Sequence, residues 1–266
     1  MKKKLLNQPT FLLGTIITSI MLLMTFIGFF YTPYDPTQMD NSNKLAGCSL
    51  EHIMGCDNFG RDIFTRAMVG AKTTLLVALG TVGIGAGAGI LIGAFTGYFG
   101  GWVDEVLMRV IDALFAFPSI LLALVVISLL GSGTYQVVVA LGIAFIPSFA
   151  RVVRSQYLKQ REMDYVKNAR IMGCGHLRIM FVHILPNILP VLVPTVMIGF
   201  NNAVLAEAGM SYLGIGVQPP DASLGRMLSE AQTYLFSQPT YALFPGMMIV
   251  LLVLGLSLLA DGLEEK

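Results

Sequence analysis

Long apolar stretches along this chain alternate with short polar ones, and a helix that crosses a bilayer needs about 20 mostly apolar residues. Six stretches meet that length: Phe11 to Tyr31, Leu75 to Tyr98, Leu107 to Leu130, Tyr135 to Val153, Ile188 to Leu205 and Tyr241 to Ala260. The pattern predicts an all-α, polytopic membrane protein with six transmembrane helices. An even number of spans places both termini on one side. Residues 32–74 and 209–240 then form outer polar regions, and the basic, glycine-bearing stretch from Arg151 to His183 lies on the inner side.

Composition agrees: 55% of residues are hydrophobic and only 12% are charged, outside the usual soluble range. Charge also sets the orientation. Lys2, Lys3 and Lys4 precede the first span, which lacks a small-residue cleavage site and reads as a retained helix. Twelve Lys and Arg residues fall on the side of Lys2, against five on the other side, Lys44, Arg61, Arg66, Lys72 and Arg226. The positive-inside rule therefore predicts cytosolic N- and C-termini. The formal net charge is only +1 and acidic residues are mixed into the basic stretch, which argues against nucleic acid as a partner.

Several spans carry interruptions. Six glycines lie between Thr81 and Gly97, a pattern that suits close helix packing; a glycine-rich ligand loop is the competing reading. Pro190 and Pro194 predict a kink or a short membrane-lining segment in the fifth span. Arg109 and Asp112 are spaced to pair on one helix, or else lie near the cytosolic surface. Glu207, with Asn201 and Asn202 before it, is a candidate lining of an aqueous path; hydrogen bonding between helices is the alternative.

Candidate chemistry is sparse. Gly70 to Thr74 has the Lys and Thr of a phosphate loop but not its preceding glycine turn, so no ATP site is expected there. Cys48 and Cys56 bracket His52 in the outer region, compatible with a disulfide, with two free thiols, or with a weak metal signal that lacks a fourth ligand. No metal site and no resident cofactor are predicted. Cys174, on the inner side, is expected to be reduced, and His176 and His183 read as surface or packing residues. No grouping of nucleophile, base and oxyanion donors suggests an enzyme. Asp164 to Gly173 predicts a short helix closed by glycine, followed by a return to the next span at Leu185 and Pro186. Such a helix can lay an apolar side into a groove on a soluble partner; a passive surface helix is the alternative.

Three motifs in order resemble the C-type inner-membrane permease subunits of ABC importers for dipeptides, oligopeptides and nickel. Gly55-Cys56-Asp57-Asn58-Phe59-Gly60-Arg61-Asp62 is similar to the external G-T-D-x-x-G-R-D element, with Gly55, Asp57, Gly60, Arg61 and Asp62 in place and Cys56 where Thr is usual. Asp164 to Pro186 resembles the loop that couples to the ATPase, although Lys167 and Asn168 replace the Glu and first Ala of its E-A-A start. Ser211 to Pro220 resembles S-F-L-G-L-G-V-Q-P-P.

The resemblance covers nearly the whole chain and implies a type I importer permease fold: an N-terminal helix with an external loop over 1–74, then a five-helix transmembrane domain with its coupling helix over 75–266. It implies a multi-pass cell-membrane protein with no catalysis of its own. The expected partners are a homologous B-type permease subunit, two cytosolic ATPases that bind ATP and Mg, and an extracytoplasmic solute-binding protein. Asp164, Tyr165, Lys167, Asn168, Ala169, Arg170, Gly173, Leu185 and Pro186 would form the coupling surface. Di- or oligopeptides are the leading cargo; nickel or a metal chelate is the alternative.

Overall fold

The computed structural model describes residues 9–264, so Lys2, Lys3, Lys4 and Lys266, which carry part of the orientation argument, lie outside the described residues. In chain order the helices are α1 (Pro9–Phe30), α2 (Ile63–Phe99), α3 (Gly101–Phe115), α4 (Ser119–Leu130), α5 (Thr134–Gln160), α6 (Asp164–Ile171), α7 (His176–Arg178), α8 (Leu185–Tyr212), α9 (Leu224–Ala231) and α10 (Pro239–Glu264). A π-helical turn, Ile179–Ile184, joins α7 to α8. Among the described residues, strand pairing amounts to one bridge between Cys56 and Asp62.

Five segments are long and apolar enough to cross a membrane: α1, α2, α5, the continuous stretch His176–Tyr212, and α10. The expected third span is the exception. It meets the same test only as a bent pair, α3 and α4 at 91°, which as one span brings the number to six. Pro118 has no amide hydrogen to give and disfavours helical geometry at the residue before it, so a straight helix cannot pass. α3 also carries Asp104, Glu105, Arg109 and Asp112, costly in hydrocarbon, whereas α4 is free of charge.

The second span begins earlier than hydropathy suggests. Asp62 accepts a hydrogen bond from the Thr65 amide at 2.7 Å and caps a helix of 37 residues, which runs unbroken past residue 74. α2 and α5 make the central packing through Gly85, Gly89, Gly93 and Gly97, four residues apart on one face. A Cβ at Gly93 would lie 2.5 Å from the Ala150 carbonyl, so the two helices meet backbone to backbone where only glycine fits. Gly83 and Gly87 face open space instead. The same device joins α1 to α10, where Gly14 meets Leu258 and Leu259, and Gly255 meets Thr18. Helical geometry in α8 continues through Pro190 and Pro194; the departure from α-geometry lies upstream, in the π turn.

Candidate functional site: a coupling helix and a polar recess

α6 starts at Asp164 and ends in a glycine cap. The Gly173 amide donates to the Arg170 carbonyl and the Cys174 amide to the Ala169 carbonyl, both at 3.0 Å, with Gly173 at φ +78°. This double bond pattern satisfies two orphan carbonyls and reverses the chain within a few residues. Val166 is fully buried in an apolar cluster with Tyr98, Val153, Tyr157, Ile179 and Ile184. Val166 thus anchors α6 to the C-terminal ends of α2 and α5 and to the π turn.

The predicted coupling residues divide into two groups. Asp164, Lys167, Asn168, Arg170 and Gly173 are exposed, whereas Tyr165, Ala169 and Leu185 pack against the apolar cluster. Pro186 is exposed in the first turn of α8. The Tyr165 hydroxyl donates to Gln160 Oε1 at 2.8 Å, and burial pushes its acidity below that of a free phenol. Arg170 lies over the Tyr98 ring, 5.1 Å from its centroid, while the Tyr98 hydroxyl meets His176 Nδ1 at 3.0 Å. His176 therefore ties the return of the loop to α2.

Ile171 and Met172, 84% and 83% exposed, stand bare at the end of α6. Sequence reasoning placed them inside the helix without marking them as contacts. The signal was available: two large apolar residues just before a glycine cap on a helix otherwise polar at its surface.

A recess of about 380 Å³ opens between the start of α4, the middle of α5 and the middle of α8. Asn202 lines it. Its two companions do not. The Asn201 amide donates to Ser257 Oγ at 2.8 Å and bridges α8 to α10. Glu207 is fully buried, accepting from Thr74 Oγ1 and Ser211 Oγ, each at 2.7 Å. The Leu224 amide in turn donates to Thr74, and the Val217 amide to Ser211. Glu207 thus knits α2, α8, α9 and the loop after α8, and a carboxylate committed to those hydroxyls is closed to a passing solute.

At the other end of α2, the Gly55 to Asp62 motif folds into a charge cluster. Asp57 accepts from the Phe59 and Arg61 amides and from Arg61 Nε, the last at 2.6 Å. Arg61 and Arg66 both reach Glu230 on α9, at 3.2 and 2.9 Å, and Tyr241 of α10 donates to the same oxygen at 3.2 Å. Asp62, besides capping α2, meets His52 Nδ1 at 2.9 Å. Gly55 and Gly60 sit at φ +79° and +76°, with Gly60 pressed against the Asp40 carbonyl. Arg66, Glu230 and Tyr241 escaped the sequence reading because their partners are distant in the chain.

Two alternatives that the sequence leaves open take one form each. Arg109 does not pair with Asp112: it reaches Glu105 at 2.6 Å, and Asp112 takes Arg151 of α5 at 2.6 Å. Asp104 adds a second tie to α5 through a two-pronged bond to Arg154 at 2.5 and 2.6 Å. Cys48 and Cys56 are separate thiols, the first exposed and the second buried. Burial, with the nearby Asp62 and Asp57 charges, pushes the Cys56 thiol up from 9.0 to about 11.

Residues 89–266 match the family of binding-protein-dependent transport system inner membrane components. The chain belongs to this family. Within it, the chain is a C-type permease of the dipeptide, oligopeptide and nickel group, a membrane subunit without catalysis of its own. It is 37% identical over 263 residues to the dipeptide transport system permease protein DppC of Alkalihalophilus pseudofirmus, covering 99% of this chain and 86% of that one. The glutathione transport system permease protein GsiD of Pectobacterium atrosepticum is 36% identical, over 99% and 88%. The fold is similar to that of the MetNI methionine ABC transporter in an inward-facing conformation, with a TM-score of 0.62 at 20% identity over 74% of this chain and 93% of that chain.

Proposed function

We propose that this permease forms one half of a pathway for di- or oligopeptides in an ATP-driven importer. The observation that carries the coupling role is the exposed apolar tip of α6. Ile171 and Met172 project from a helix whose opposite side is fixed by buried Val166 to α2, α5 and the π turn. An apolar tip framed by Asp164, Lys167, Asn168 and Arg170 suits a groove on a cytosolic ATPase, and a push on it would reach α8 through the π turn. Two such ATPases would bind ATP and Mg, a B-type permease would supply the other half of the path, and a solute-binding protein would deliver cargo from outside. Both termini then lie in the cytosol.

Peptide as cargo is supported by the names of the dipeptide and glutathione relatives and by the uncharged lining of the recess. The test is uptake into vesicles holding the complete transporter, with labelled peptides compared against free and chelated nickel. ATP-dependent peptide uptake without nickel uptake is the expected result; nickel-selective uptake would make the peptide assignment wrong.

A further inference from the structure

The recess between α4, α5 and α8 has a distinctive wall. Four polar residues line it, Ser119, Ser148, Thr195 and Asn202, the Thr195 hydroxyl donating to the Val191 carbonyl at 2.8 Å and keeping its lone pairs, and none of the lining residues is ionisable. The charged groups nearest in sequence are already engaged: Arg151 pairs with Asp112 and lies over the Phe115 ring at 3.8 Å, and Glu207 is held by Thr74 and Ser211. The floor is rigid. A Cβ at Gly199 would collide with the tip of the Phe149 ring, so ring and backbone are already in contact.

We infer that this recess is the contact site for the backbone of the travelling peptide, and that its hydroxyl and amide groups make translocation indifferent to the charge of the peptide side chains. The inference rests on the peptide reading above. Every peptide presents amide donors and carbonyl acceptors whatever its sequence, and hydroxyl and carboxamide groups answer both. A fixed charge at this depth would hold an oppositely charged cargo and repel a like one, because interactions are poorly screened away from water. Conduction also needs contacts weak enough to release the cargo, which neutral hydrogen bonds supply. The volume, about 380 Å³, is within the range of small-molecule sites, roughly 300 to 1,000 Å³.

The experiment places one charge in the wall. Asn202→Asp and Asn202→Lys are reconstituted with the full set of partner subunits, and uptake of a lysine-containing dipeptide is compared with that of a glutamate-containing one at saturating, loaded binding protein. Asn202→Asp should raise the lysine-to-glutamate ratio about 10-fold and Asn202→Lys should lower it by a similar factor, equivalent to about 1.4 kcal/mol each way. Ser148→Asp, on α5 across the recess, should act like Asn202→Asp. An unchanged ratio in all three, with uptake intact, overturns the inference and leaves the peptide reading standing. Loss of the sister permease from the purified complex in all three overturns it too, because the surface would then be a subunit interface. A wild-type transporter that moves nickel and no peptide sinks the peptide reading and this inference together.

Discussion

Arg66 Nη2 lies 2.9 Å from Glu230 Oε2, although the two residues are 164 positions apart. Arg66 is almost fully buried, and Glu230 also receives Arg61 and Tyr241. The pair locks the first turn of α2 to α9 and α10. Removing one partner of a buried ion pair leaves an uncompensated charge and costs about 3 kcal/mol. Glu230→Ala should therefore lower the thermal unfolding midpoint of the purified complex by several degrees, with Glu230→Asp recovering part of the loss. Equal midpoints for Glu230→Ala and wild type would show that the cluster contributes nothing to stability.

Gly173 separates backbone geometry from bulk. Nothing lies within 4 Å of a Cβ built there, yet its φ is +78°. A branched residue suffers about 1–2 kcal/mol of strain at positive φ, whereas Asn tolerates it. Gly173→Val should uncouple ATP hydrolysis from uptake while the protein still assembles in the membrane, and Gly173→Asn should retain most coupling. Similar behaviour of the two variants would remove the cap from the account.

Two glycines on one helix should respond in opposite ways. Gly93→Ala forces a methyl against the Ala150 carbonyl and Val153, so the complex should lose stability or yield. Gly87 faces open space in the chain, and Gly87→Ala should be neutral or slightly stabilising, because alanine is the better helix former. Melting curves of the two variants decide between this one-face packing and a general need for small residues.

The thiols differ in access and in acidity. Cys48 should react quickly with a membrane-impermeant maleimide applied from outside, and Cys56 should stay unlabelled until the protein unfolds. With its thiol raised from 9.0 to about 11, the folded form holds this proton more tightly than the unfolded chain. The resulting stability is fully present below pH 9 and is lost as pH rises through about 11. Cys56→Ala should flatten that part of the stability curve. A steep alkaline loss that persists in the variant would assign it to other groups.

The long apolar runs made five spans legible, because hydrocarbon thickness imposes a length that side-chain pattern can meet directly. α6 was legible too, since Gly173 marks its end and Asp164 its start. The break at Pro118 was not, because the residues on both sides remain apolar enough to average into one window. Glu207 and Asn201 left two roles open for a related reason. An intramembrane polar residue announces that it needs a partner, but not whether that partner is a solute or a hydroxyl on the neighbouring helix. Thr74, Ser211 and Ser257 answer that question only once the helices are packed.

The π turn at Ile179–Ile184 has a bearing on how related chains diverge. Such a turn accommodates one residue more than an α-helix would along the same path. Deleting a single residue there would let ordinary winding follow that same path, so the segments on either side would keep their directions. Deleting one residue from the regular turns of α8 would instead swing everything before it by about 100° around the helix axis. Ile171 and Met172 would keep their aim in the first case and lose it in the second, so the π turn is the place where this segment can shorten by one residue without re-aiming the tip.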